Sequence, residues 1–231
     1  MQVIQSDFST LEGTNCYCSE ESAARIRQAI SGLPLSAVHM IGTGDYHYIS
    51  LFWLERIREP FSLVLFDNHP DDQASAFSPD TLSCGSWVAE ARKLPCCIGT
   101  YWLTSQTERQ TERQTGKSVA ARGLVNGGTA GKAGGGMSAT KIFPDCLSVC
   151  FGQPIYISID LDVLSREYAR TDWDQGTMSL DELTGAILEL KKSARIIGVD
   201  ICGGLTTQKG ASPEDLAINA GTEKALISLF E

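Results

Sequence analysis

The sequence predicts an α/β fold, a single three-layer domain in which a mainly parallel sheet is flanked by helices. Three observations predict it. Apolar runs of strand length, at Ala37–Ile41, Ser62–Phe66, Cys96–Leu103, Pro154–Ile159 and Arg195–Ile201, alternate with segments of helical periodicity, and strands joined by helical crossovers build parallel sheets. Within a run such as Leu63-Val64-Leu65-Phe66 both alternating sets of positions are apolar, the pattern of a strand covered on both faces. Two of these runs, Ser62–Phe66 and Pro154–Ile159, then stop abruptly in acidic residues, at the carboxyl ends where open parallel sheets hold their ligands.

The elements follow in order. Ser19 with Glu20 and Glu21 opens a first helix, whose Ala23, Ile26, Ile30 and Leu33 keep a spacing of three and four before Gly32 and Pro34 stop it. After strand Ala37–Ile41 comes a helix over Tyr48–Arg58, with Ile49, Phe52, Trp53 and Ile57 on one face. Strand Ser62–Phe66, helix Ser86–Leu94 and strand Cys96–Leu103 continue the alternation. Residues 104–139 interrupt it: Thr107-Glu108-Arg109-Gln110 repeats as Thr111-Glu112-Arg113-Gln114, and a Gly-rich stretch follows. Such a composition buries too little surface to offset its ordering entropy, so a mobile insertion is expected within one 1–231 domain. It is no phosphate loop, because it lacks the Gly-Lys-Ser/Thr ending and follows no strand. Strand Pro154–Ile159, an Asp/Trp/Gly-rich loop over Arg170–Gly176, a helix from Ser179 with Glu182 as capping box, strand Arg195–Ile201 and a helix from Ser212 complete the chain.

Composition narrows the function. A chain of 231 residues with 42% hydrophobic and 20% charged residues supports one sizeable core. Nineteen basic against 28 acidic residues leave a net charge of -9 with no basic block, which argues against nucleic acid or an anionic membrane as partner. The first residues lack the pattern of a secretory signal, and no run reaches the roughly 20 apolar residues of a membrane span, so a cytoplasmic location is expected. Among the eight Cys, the pairs Cys16/Cys18, Cys96/Cys97 and Cys146/Cys150 do not have zinc-knuckle spacing. Reduced thiols packed as small apolar residues are the expectation.

The chemistry concentrates at three strand ends. In Asp67-Asn68-His69-Pro70-Asp71 two carboxylates flank an imidazole at alternate positions, and they share one side if the chain stays extended. In Asp160-Leu161-Asp162 two more carboxylates alternate. His47 follows the strand Ala37–Ile41, whereas His39 lies inside it and is read as a core residue. Converging carboxylates repel unless a dication holds them ionised, and the mixed oxygen and nitrogen set suits Mn(II) or Zn(II) better than Ca(II). The alternative is that one acidic pair caps a neighbouring helix.

These motifs resemble those of the ureohydrolases, the arginase, agmatinase and formiminoglutamase family, whose fold is shared with the deacetylase-like enzymes. The matching segments are Gly44-Asp45-Tyr46-His47, Asp67-Asn68-His69-Pro70-Asp71 and Ser158-Ile159-Asp160-Leu161-Asp162, with Asp174–Ser179 and Ile197–Asp200 in comparable places. The resemblance implies two Mn(II) ions, one held by His47, Asp67, Asp71 and Asp160, the other by Asp67, His69, Asp160 and Asp162, with Asp67 and Asp160 as bridges. It implies hydrolysis of a C–N bond in a guanidino, amidine or amide small molecule by a metal-bridging hydroxide, with Asp71 passing the proton to the leaving amine. Three departures stand out: Tyr46 is inserted before His47, no His follows His69, and the position of the family's guanidinium-binding Glu is Gly203. The substrate-binding residues stay open, as does homo-oligomerisation. Two further readings compete, a metal-holding protein of this fold with little or no ureohydrolase activity and a deacetylase-like amide hydrolase.

Overall fold

Six parallel strands form the central sheet of the computed structural model, which describes residues 1–78, 80–104 and 152–231. They are β1 (Gln2–Gln5), β3 (Ala37–Met40), β4 (Phe61–Phe66), β6 (Cys97–Leu103), β7 (Pro154–Asp160) and β8 (Arg195–Cys202), and the order across the sheet is β1-β3-β8-β7-β4-β6. A second, two-stranded antiparallel sheet joins β2 (Tyr17–Cys18) to β5 (Leu82–Ser83). The helices among the described residues are α1 (Glu20–Ile30), α2 (Ile49–Leu54), α3 (Trp87–Ala91), α4 (Leu180–Ser193) and α5 (Pro213–Ser228). The expected insertion at 104–139 lies, apart from Thr104, outside the described residues.

The three layers follow from strand alternation. Along β4, Leu63 and Leu65 pack with α1, α2 and α3 through Ile26, Phe52 and Trp87, while Val64 and Phe66 pack on the opposite face with Leu183, Ile187 and Leu226 of α4 and α5. All six residues of β4 are buried, which is why this strand reads as a continuous apolar run rather than an alternating one. His39 is fully buried as expected, stacked on Trp53 with ring centroids 3.6 Å apart and bonded through Nε2 to Leu35 O at 3.1 Å.

The expected helix starts at Ser19, Ser179 and Ser212 are all present. Ser19 caps α1, and both Ser179/Glu182 and Ser212/Asp215 form reciprocal capping boxes. Several bounds differ. The Tyr48–Arg58 helix is confined to Ile49–Leu54, because a 3-10 turn over Gly44–Tyr46 precedes it and Arg56 and Ile57 continue only as turns. Helix α1 stops at Ile30, so Leu33 packs against the core from beyond its end. The short edge strand β1 and the β2–β5 pair had no sequence expectation, since neither carries an apolar run of its own.

Candidate metal centre

The carboxyl ends of β3, β4, β7 and β8 meet at the middle of the sheet, and each delivers side chains there by a different local device. After β4 the chain does not stay extended. Asp67 Oδ1 accepts from its own neighbour His69 N at 2.6 Å, and Asp71 adopts a left-handed conformation with φ 47°. This bend still brings Asp67, His69 and Asp71 into one cluster, at the cost of a backbone state that a non-glycine residue seldom takes. Asp160 ends β7, and Asp162 arrives through a 3-10 turn over Leu161–Val163 in which Asp162 N donates to Asp160 Oδ1 at 2.9 Å. His47 follows the Gly44–Tyr46 turn, whose extra residue Tyr46 is buried in the core.

All six expected residues are brought together. His47 Nδ1 lies 3.0 Å from Asp71 Oδ2, 3.1 Å from Asp67 Oδ2 and 3.6 Å from Asp160 Oδ2. His69 Nδ1 lies 2.8 Å from Asp162 Oδ2 and 3.6 Å from Asp67 Oδ1. The donor atoms fall into three groups compact enough for a cation: His47/Asp67/Asp71, Asp67/His69/Asp162 and His47/Asp160/Cys202. Asp67 belongs to the first two, and so stands between two potential ion positions. His69 is the one partly exposed member, its side chain 32% accessible, which places it at the mouth of the cluster.

A hydrogen-bond chain orients His47. Ser158 Oγ donates to Asp200 Oδ1 at 2.6 Å, so the 2.9 Å contact between Ser158 Oγ and His47 Nε2 needs the imidazole N–H as donor. In the neutral ring the Nδ1 lone pair then faces the carboxylates, the orientation of a metal ligand backed by a hydrogen-bonded partner. Both Nδ1 of His47 and Oδ2 of Asp67 are buried without a hydrogen bond. Burial of such atoms is unfavourable unless something satisfies them, and a divalent cation fits the donor set. Asp71 is braced by Trp87, whose indole N–H donates to Oδ2 at 2.7 Å.

The charges point the same way. Burial first, and then the neighbouring Asp162, push Asp160 up to about 6, while burial and the charge of Asp67 push Asp162 up to about 7. Burial likewise raises Asp67 and Asp71, with Asp71 adding to the rise in Asp67. For His69 burial favours the neutral ring, but its bonds to Asp162 and Asp67 prevail and push it up to about 11. A cluster that retains protons so strongly lacks positive charge, and a dication supplies it.

Two further features adjoin the six residues. Cys202, expected only to fill space, joins His47 and Asp160, because β8 pairs with β7 in a register that sets Cys202 opposite Asp160 as it sets Asp200 opposite Ser158. The Arg170–Gly176 loop covers one side of the cluster. Trp173 packs against the Gly44 backbone, holds Asp45 Oδ1 through its indole at 3.1 Å and lies edge-on to His69 with centroids 6.0 Å apart. Asp45 itself is turned away from the six, bonded to Trp173, Cys16 and Lys209.

Together these define an α/β protein with helices on both faces of a parallel sheet and an acid-histidine cluster at the strand ends. Residues 6–203 match the model of the Arginase family, and the chain belongs to that family. An uncharacterized protein of Thermotoga maritima is 28% identical over 167 residues, which cover 72% of this chain but only 57% of that protein. The fold is similar to that of a hypothetical agmatinase from Burkholderia thailandensis, with TM-score 0.61, 20% identity and coverage of 93% of this chain and 68% of the other. It is similar also to formimidoylglutamase from Bacillus subtilis, with TM-score 0.59, 18% identity and coverage of 91% and 66%. For the arginase from Bacillus caldovelox the values are 0.59, 13%, and 94% and 79%. At these identities the likeness to the solved structures is one of fold.

Proposed function

We propose that this protein is a hydrolase of C–N bonds in a guanidino, amidine or amide small molecule, working with two divalent cations, Mn(II) by family resemblance. The observation that carries the reading is Asp67, buried and shared by two compact ligand groups, His47/Asp67/Asp71 and Asp67/His69/Asp162. Asp160, near both His47 and Asp162, would hold the cations as a second shared carboxylate. When bound, such a pair of cations activates a water near neutral pH and polarises the trigonal carbon that it attacks. The chain's own part is positional. Ser158 and Asp200 fix the His47 ring, Trp87 orients the Asp71 carboxylate, and Asp71 carries the proton from the nucleophile to the leaving amine. Trp173 stands edge-on beside His69 at the mouth of the site.

Arginine and agmatine are not the preferred substrates in this reading. Gly203 has φ 100°, and a Cβ there would lie 2.1 Å from Asp160 Oδ1 and 2.8 Å from Leu161 N. No carboxylate can be presented from that position, so a buried guanidinium would lose its charged partner, a loss of roughly two to three powers of ten in efficiency. The same observation favours the second reading, a metal-holding protein of this fold with little catalysis.

The test is metal content together with turnover. The purified chain is expected to take up about two equivalents of dication, and Asp160→Ala to lower the occupancy of both positions because it removes a bridge. A panel of guanidino and amide compounds with Mn(II) should yield ammonia or urea from at least one member, with arginine and agmatine poor. Metal uptake with no turnover on the whole panel would select the second reading, and absence of metal affinity would remove both.

A further inference from the structure

Cys202 closes one side of the cluster in a manner that an apolar filler would not require. It is the last residue of β8 and the register partner of Asp160, the last residue of β7, so the two side chains stand next to each other on one face of the sheet. The thiol is buried, and it donates to Asp160 Oδ2 at 3.2 Å. The end of β8 is pinned there, because Gly203 N donates to Gly42 O at 3.0 Å across to the end of β3. The sulfur, an oxygen of Asp160 and a nitrogen of His47 all lie within 4.8 Å of one another. Donors on one ion with bonds of about 2.0–2.3 Å stand up to roughly 4.5 Å apart, so the three can close on a single ion with small shifts. An independent sign of a ligand is at the same point: His47 Nδ1 and Asp67 Oδ2 are buried with no hydrogen bond. Among the described cysteines only Cys202 falls in a metal-capable group.

We propose that Cys202 is a thiolate ligand of the ion beside His47, and that this position takes a thiophilic dication, Zn(II) or Co(II), in preference to Mn(II). The inference rests on the reading of the cluster as a metal centre. As the sulfur–metal bond forms, the thiol proton leaves to solvent, and no oxidant or reductant takes part. Thiolate is a soft donor that selects zinc-like ions, whereas an oxygen-rich set with imidazole accepts Mn(II). The second group, Asp67/His69/Asp162, contains no sulfur, so the two positions differ in the metal that they prefer. One chain then holds a mixed pair, with the softer ion on the buried side and the harder ion at the mouth near His69.

The experiment is titration of the metal-stripped, reduced full-length protein with Co(II), followed by absorption spectroscopy. A thiolate-to-Co(II) charge-transfer band in the near ultraviolet is expected to grow in step with the visible d–d bands. Cys202→Ser should abolish the first while keeping the second, and Cys16→Ser and Cys84→Ser should keep both. In competition titrations the preference for Zn(II) over Mn(II) should shrink by about tenfold or more in Cys202→Ser, on the order of the loss that follows removal of a supporting group. Cobalt d–d bands without a charge-transfer band in the unaltered protein would overturn the assignment and leave the metal centre standing. A charge-transfer band that survives Cys202→Ser would overturn it too, by giving the sulfur to another residue. Absence of any cobalt spectrum would overturn both readings. The spectrum of the unaltered protein decides the presence of sulfur even if the variant folds poorly, and Cys202→Ala gives a second route to the same comparison.

Discussion

His39 and Gly203 show how much a single position is constrained by what surrounds it. Burial, which outweighs the hydrogen bond to Leu35 O and is reinforced by the nearby charge of Arg56, pushes the His39 imidazole down to about 4. The unfolded chain takes up this proton near 6.5, so stability from His39 is fully present above that pH and is lost as pH falls from about 6.5 through about 4. The loss amounts to as much as about 3 kcal/mol at about 1.4 kcal/mol per pH unit. In His39→Phe the stack on Trp53 is retained and Leu35 O keeps its bond from Ala37 N. Urea unfolding at pH 7 and pH 5 should therefore show a smaller acid loss in the variant than in the unaltered chain. Equal losses would mean that His39 is not held neutral. At Gly203 both the positive φ and the approach to Asp160 act against any side chain, so Gly203→Ala should lower stability by about 3 kcal/mol or more, read as a fall in the unfolding midpoint. An unchanged midpoint would show that the end of β8 can rearrange, and with it the argument against an arginine pocket would weaken.

At the scale of elements, the capped helices are the parts whose sequence and structure agree most closely. Helix α4 is closed at its start by the Ser179 side chain accepting from Glu182 N and the Glu182 side chain accepting from Ser179 N. It carries Asp181 and Glu182 in its first turn and Lys191 and Lys192 in its last, which suits the helix dipole at both ends. Ser179→Ala should cost about 1 kcal/mol, checked by urea unfolding with the midpoint shifted and the slope unchanged. The loss should be the same with and without added Mn(II), because α4 packs through Leu183, Ile187 and Leu190 on the face of the sheet away from His47. A metal-dependent loss would indicate that α4 is coupled to the cluster.

For the whole molecule the sheet order matters most. Strands β6 and β7 both flank β4, so the connection between them must return across that strand and needs a crossover of a dozen or more residues. Residues 104–153 number 50, and removal of 107–136 leaves 20, enough for the crossing. This deletion should leave the melting temperature and the dication stoichiometry nearly unchanged, since each doubling of loop length costs only about 0.6 kcal/mol. Calorimetry and metal analysis of the shortened chain check this, and a collapse of either would show that the segment supports the fold. Among the described residues no helix is long and apolar enough to cross a membrane.

The sequence by itself determined the fold class, the alternation of strands and helices, the helix starts at Ser19, Ser179 and Ser212 and the identity of the six clustered residues. These are local matters: apolar runs, capping hydroxyls and acidic residues at strand ends are written within a few neighbouring positions. Only the tertiary structure decided how the residues converge. The left-handed Asp71, the 3-10 turn that swings Asp162 beside Asp160, and the Ser158–Asp200 chain behind His47 depend on strands far apart in sequence becoming neighbours. Cys202 looked like any other small buried residue until β8 was laid beside β7 in register. Likewise, Gly203 was an absent carboxylate in the sequence, and the structure turned it into a position where none fits, because its backbone conformation and the nearness of Asp160 are properties of the packed sheet.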